Sequence, residues 1–131
     1  MPELGRYKKV PRPESIETFI RYLSSNPVII SIERKGLQLV EIIRNGKSNL
    51  KVFMTNIYIV GLADVYEILS EVGHVDAIVT MSAWNSYTQE AKEECRRKNI
   101  GLFKFKEFMG AVYYDGQQFL DYIHPDDREK D

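Results

Sequence analysis

The residues best equipped for chemistry lie in the stretch Thr80–Ser86, TMSAWNS. Hydroxyls on Thr80, Ser82 and Ser86, the amide of Asn85 and the indole of Trp84 fall within one short segment. The pattern predicts a strand ending at Thr80 and a helix following Ser82, whose hydroxyl can accept one unpaired N–H of the first turn. The carboxyl end of a strand beside a helix N-terminus attracts anions, and a DNA-backbone phosphate could sit there. The simpler reading is that Ser82 only caps and Trp84 only packs. A second group, Arg6, Lys8, Lys9 and Arg12, lies in a proline-rich opening stretch expected as a flexible basic arm over residues 1–13. Those cations either touch phosphates or decorate a solvated terminus.

Other reactive side chains stand alone. His74 and His124 have no ligand-spaced partner, so each reads as a surface histidine. Cys95 is the single cysteine, which excludes an intramolecular disulfide and a CxxC metal pair. Its place on a predicted apolar helix face reads as a packed thiol rather than a nucleophile. No GxGxxG, P-loop or GxSxG motif is present. A net charge of −1 supplies no global pull towards nucleic acid or membrane, so such binding needs a local patch. With 44% hydrophobic and 28% charged residues, the chain has the make-up of one ordinary globular domain. No apolar run is long enough for a membrane span and no signal-peptide core is visible, so the expected compartment is the cytoplasm.

The elements that must position these residues follow from periodicity. Pro13 opens a first helix with the stripe Ile16, Phe19, Ile20 and Leu23. Val28–Ile32 reads as a strand, Glu33-Arg34-Lys35-Gly36 as a charged tight turn, Leu37–Arg44 as a second strand and Asn45-Gly46 as a turn. Leu50–Val60 reads as a third strand with a bend near Thr55-Asn56. A helix from Gly61 carries Leu62, Val65, Tyr66, Leu69 and Val72, and stops at Gly73. Ala77–Val79 is a fourth strand. The next helix presents Trp84, Tyr87, Ala91 and Cys95 on one face, with Gln89, Glu90, Lys92, Glu93, Arg96 and Arg97 in water. Glu93 and Arg97 are an i,i+4 pair, and Asn99 suits a left-handed helix stop. Ile100–Phe105 resumes as a strand, joined to the fourth by a right-handed crossover. Lys106–Tyr114 is mixed, with a short helix and a short strand, and Phe119–Ile123 gives a last helical cover. The expected organisation is a single domain over 14–124 and an acidic tail over 125–131. The fold class is α/β (α+β): helix, three-strand meander, helix, strand, helix, strand, with a mixed central sheet flanked by helices.

That order resembles the core of the restriction-endonuclease-like PD-(D/E)xK fold, and Ala77–Phe103 resembles the last third of an Mrr-type domain. The residues carrying the likeness are Ile78-Val79-Thr80-Met81-Ser82, the inner-face Ala91, and Asn99-Ile100-Gly101-Leu102, with Val60-Gly61-Leu62 upstream. The resemblance implies nuclease chemistry: an acid on the second strand and an acid-x-lysine on the third, holding Mg²⁺ through oxygens while the lysine orients water. In this chain the acid-x-lysine slot falls on Val52-Phe53-Met54, which can do neither. One acid-x-lysine exists elsewhere, Glu33-Arg34-Lys35, with Glu41 on the second strand. If the chain were active, Glu33, Lys35 and Glu41 would have to form the site; the simpler reading is a solvated turn.

Two functions follow. The first is a catalytically degenerate nuclease-fold protein, without cofactor, binding DNA or a partner protein in DNA maintenance, replication or mobile-element biology, with Arg6, Lys8, Lys9, Arg12, Thr80, Ser82, Trp84 and Asn85 as the contact residues. The second is an active nuclease with the atypical Glu33/Lys35/Glu41 site and magnesium. A small protein–protein interaction module is the further alternative. The aromatics Tyr113, Tyr114, Phe119 and Tyr122 could supply a homodimer interface or close the core.

Overall fold

The computed structural model describes residues 4–128. Residues 1–3 and 129–131, the outermost parts of the expected arm and tail, lie outside the described residues. A 3-10 turn at Gly5–Tyr7 leads to α1 (Pro13–Ser24). Pro13 occupies the first helical position, where its missing N–H forgoes no bond. Ile16, Phe19 and Leu23 form the buried stripe.

Three strands then meander antiparallel: β1 (Ile29–Arg34), β2 (Leu39–Arg44) and β3 (Leu50–Thr55). The register sets Glu33 opposite Glu41, and Glu41 opposite Lys51. After the expected bend the chain forms the short β4 (Ile59–Val60) and α2 (Leu62–Val72). The Gly61 N–H donates to the Asp64 carboxylate at 2.8 Å, which starts α2, and Gly73 at φ 75° stops it. β5 (Ala77–Thr80), β6 (Ser86–Tyr87), α3 (Gln89–Arg97), β7 (Gly101–Lys104), α4 (Phe105–Ala111) and α5 (Gly116–Leu120) complete the described chain, apart from a 3-10 turn at Pro125–Asp127.

The main sheet has the order β1-β2-β3-β5-β7, antiparallel in its first half and parallel from β3 onward. The small β4–β6 pair is a separate parallel sheet. Alternation along the strands feeds two cores. Val40, Ile42, Val52, Met54 and Val79 face α1, α4 and α5. Phe53, Ile78 and Leu102 face α2 and α3 with Val65, Ala91 and Cys95. The molecule is therefore the expected mixed α/β sheet with helices on both sides. No helix among the described residues is long and apolar enough to cross a membrane.

Several local expectations are corrected. The crossover helix begins at Gln89, not after Ser82: Thr88 is the cap, and its hydroxyl accepts from the Ala91 N–H at 3.1 Å. Trp84 and Tyr87 therefore precede the helix, and Trp84 is exposed. With the start moved, Lys92 joins Ala91 and Cys95 on the inner face and is buried, not solvated. Arg97 pairs with Glu94 at 2.6 Å rather than with Glu93. The third strand stops at Thr55 because Asn56 turns its side chain to polar partners. Residues 106–114 hold α4 and turns but no strand. Asn99, at φ 61°, takes the left-handed stop predicted for it.

Candidate nucleic-acid interface

β3 and β5 are parallel and end together, at Thr55 and Thr80. Just beyond them a strand cannot continue its ladder, so side chains must satisfy the loose backbone groups. Asn56 is the hub, only 4% exposed. Its side-chain oxygen accepts from Ser82 Oγ at 2.6 Å and from Asn85 Nδ2 at 3.0 Å. Asn85 Nδ2 also reaches the Asn56 carbonyl and Thr80 Oγ1, and Thr80 Oγ1 donates to the Ile57 carbonyl at 2.7 Å. The Ser82 hydroxyl is thus engaged away from any helix terminus.

The same hub holds the opening segment. Asn56 Nδ2 donates to the Tyr7 carbonyl at 2.8 Å, and its backbone N–H donates to the Lys9 carbonyl at 2.8 Å. Thr55 Oγ1 donates to the same Lys9 carbonyl. Arg6 and Arg12 lie against the Tyr7 ring, 4.9 and 4.5 Å from its centroid. Lys9 is drawn aside into an ion pair with Glu67 at 2.9 Å, which raises its pKa. Arg6, Lys8, Lys9, Arg12, Thr80, Ser82, Trp84 and Asn85 are therefore carried by segments that meet at one end of the sheet.

Beside this end opens a cleft of about 1100 Å³ between α1, the loop after β5, α4 and the tail. Trp84, Tyr22, Phe105 and Tyr113 line it with Arg12, Lys104 and Lys106. Beneath it lies a polar cluster that periodicity alone missed. Lys92 Nζ donates to the carbonyls of Leu102 at 2.6 Å and Tyr122 at 3.2 Å, and stands 3.9 Å from the Glu107 carboxylate. Glu107 accepts from Tyr87 OH at 2.7 Å and from the Lys104 and His124 N–H groups. Burial lowers Lys92 to about 8, with Glu107 opposing the shift; burial, with Glu107 adding to it, raises the Tyr87 phenol. A lysine between Ala91 and Cys95 on one helical face is the signal that could have revealed the cluster.

The alternative catalytic residues occupy the opposite half of the sheet. Lys35 Nζ is bonded to Glu33 at 3.0 Å, and Glu33 lies across from Glu41. The described residues contain no group of three or more His, Cys, Asp or Glu side chains that could hold a metal ion. Val52 and Met54 are fully buried. Of the aromatics considered for an interface, Phe119 stacks edge-on with Phe103 at 5.1 Å and Tyr122 stacks on Tyr114 at 5.6 Å, while Tyr113 is exposed. Cys95 is buried, and burial pushes its thiol up to about 12. His74 is exposed, 4.0 Å from Asp76; His124 Nδ1 accepts from the Asp126 N–H.

No protein-family model, no curated protein and no solved structure matches this chain.

Proposed function

We propose that this chain is a non-catalytic protein of restriction-endonuclease-like architecture that binds DNA with the end of its sheet around Asn56. The observation that carries the reading is the convergence there of the basic opening segment, the Thr80–Ser86 loop and an aromatic cleft. Arg6 and Lys8 offer phosphate contacts, and Trp84 offers a stacking ring. Valine and methionine at the acid-x-lysine positions favour recognition over cleavage, because neither binds a hard cation.

The test is an electrophoretic titration of labelled DNA at low and moderate salt, with and without magnesium. Salt-sensitive binding without cleavage is expected. The double variant Arg6→Ala/Lys8→Ala should weaken binding and flatten the salt slope by ~2. Magnesium-dependent cleavage lost in Glu33→Ala or Glu41→Ala would replace this reading with the nuclease one. An absence of any shift at low salt would remove DNA binding.

One observation favours a second reading, association through protein surface. β1 is an edge strand; Ile30 within it and Leu37 in the turn that follows it are 63% and 65% exposed. Sedimentation at several concentrations tests it: concentration-dependent pairing that Ile30→Lys abolishes supports this reading, and a monomer throughout rejects self-pairing.

A further inference from the structure

The free side of β1 restricts what can pair with it. Lys35 donates its N–H to the Leu39 carbonyl at 2.9 Å. By the register of β1 on β2 and the alternation of an antiparallel ladder, Ser31 and Glu33 also turn their backbone groups inward to β2. Ile32 and Arg34 therefore turn theirs outward, where no strand of the described residues meets them. A further strand would have to dock on those two.

A second copy arriving about a two-fold axis has few registers open to it. Bonded and non-bonded pairs alternate along an antiparallel ladder, so a symmetric pairing must set one residue opposite itself. Centring on Arg34 sets two guanidinium groups face to face. Centring on Glu33 sets two carboxylates face to face, each already beside Glu41 across the β1–β2 ladder. Like charges directly opposite are destabilising. Centring on Ser31 or earlier runs into the bulge between Ile29 and Ser31. Ile29 also spends its N–H on the Asn26 carbonyl, at 3.0 Å. Ile32 is left. With Ile32 opposite Ile32, Ser31 meets Glu33 of the second copy and Ile30 meets Arg34 of the second copy. No like charges are then opposed. A serine hydroxyl can donate to the carboxylate it faces, and the arginine stem can cover the exposed Ile30.

We infer that a second copy of this chain pairs with the β1 edge in the register that sets Ile32 opposite Ile32; this rests on the protein-association reading above. Ser31 and Glu33 are both exposed and select the register, because they are the polar pair that meets across it. A ladder this short covers little surface, so the pair forms and parts with concentration.

Sedimentation of the full chain over rising concentration reads the pairing, and circular dichroism confirms that each variant keeps the parent fold. Ser31→Lys puts an ammonium opposite Glu33 and should tighten pairing roughly fivefold, since the contact occurs twice across the axis. Ser31→Glu puts a second carboxylate there and should weaken pairing by a similar factor. The double variant Ser31→Glu/Glu33→Lys restores opposite charges and should recover pairing. If Ser31→Lys and Ser31→Glu weaken pairing alike, Ser31 faces itself and the inferred register is wrong. If neither changes it while Ile30→Lys still abolishes it, the register is also wrong and association through β1 stands. A parent chain that stays monomeric at every concentration removes the register and self-pairing together.

Discussion

Lys92 carries an ammonium into a place with almost no water, and its neighbours decide whether that is tolerable. Two carbonyls and the Glu107 carboxylate surround it, and the Phe103 ring lies 4.3 Å from Nζ. Removing a partner from such a pair leaves the other charge buried, so Lys92→Ala should cost ~3 kcal/mol or more, read from urea unfolding. The amine also makes stability depend on pH. Its folded value is about 8 against an ordinary 10.5, so between these values the unfolded chain binds more protons. Stability from this residue therefore rises with pH across that window. Cys95 acts oppositely: its value is raised from 9.0 to about 12, the folded chain holds the proton, and stability is lost as pH rises above 9.0. From pH 8 to 9, Lys92 should dominate this pair. The urea midpoint of the parent minus that of Lys92→Met should climb over that interval. Parallel profiles would mean that the amine does not titrate there.

At the scale of elements, the start of α3 shows what periodicity can and cannot fix. Strands and helices were legible from apolar spacing, because each buries one face against the sheet. Trp84 and Tyr87 also fall at helical spacing from Ala91, so they drew the predicted helix start back towards Ser82, whereas α3 begins at Gln89. Thr88 offered the same capping chemistry as Ser82, and only tertiary contacts chose between them. The candidate contact residues were legible as residue types. Their meeting at Asn56 was not, since hydrogen bonds over long sequence separations leave no local pattern. The two hydroxyls now predict different outcomes. Thr88→Ala should cost ~1 kcal/mol and speed hydrogen exchange at the Ala91 amide. Ser82→Ala should leave that amide protected, because its hydroxyl serves Asn56. Accelerated exchange at Ala91 in Ser82→Ala would place the cap at Ser82 after all. Gly101 is a second element-scale constraint. A Cβ there would collide with the Phe103 ring and meet Phe119 at 2.9 Å, so Gly101→Ala should cost ~1–3 kcal/mol in thermal or urea unfolding.

For the whole molecule, the two edges of the sheet are unequal. Gly101 donates its N–H to the Asp76 carbonyl in the adjacent chain segment, so the Leu102 carbonyl faces away from β5. Lys92 takes that carbonyl, and the chain folds back over it at Tyr122. Among the described residues β1, at the other end, has no such plug, though a bulge between Ile29 and Ser31 and the charges of Glu33 and Arg34 roughen it. A sheet sealed on one side has a growth limit. Two copies meeting β1 to β1 about a two-fold axis would use up both open edges and expose no further one, so assembly by that route would end at a pair rather than run on as a fibre. The lysine that anchors a helix would thereby also act as a chain terminator for stacking molecules.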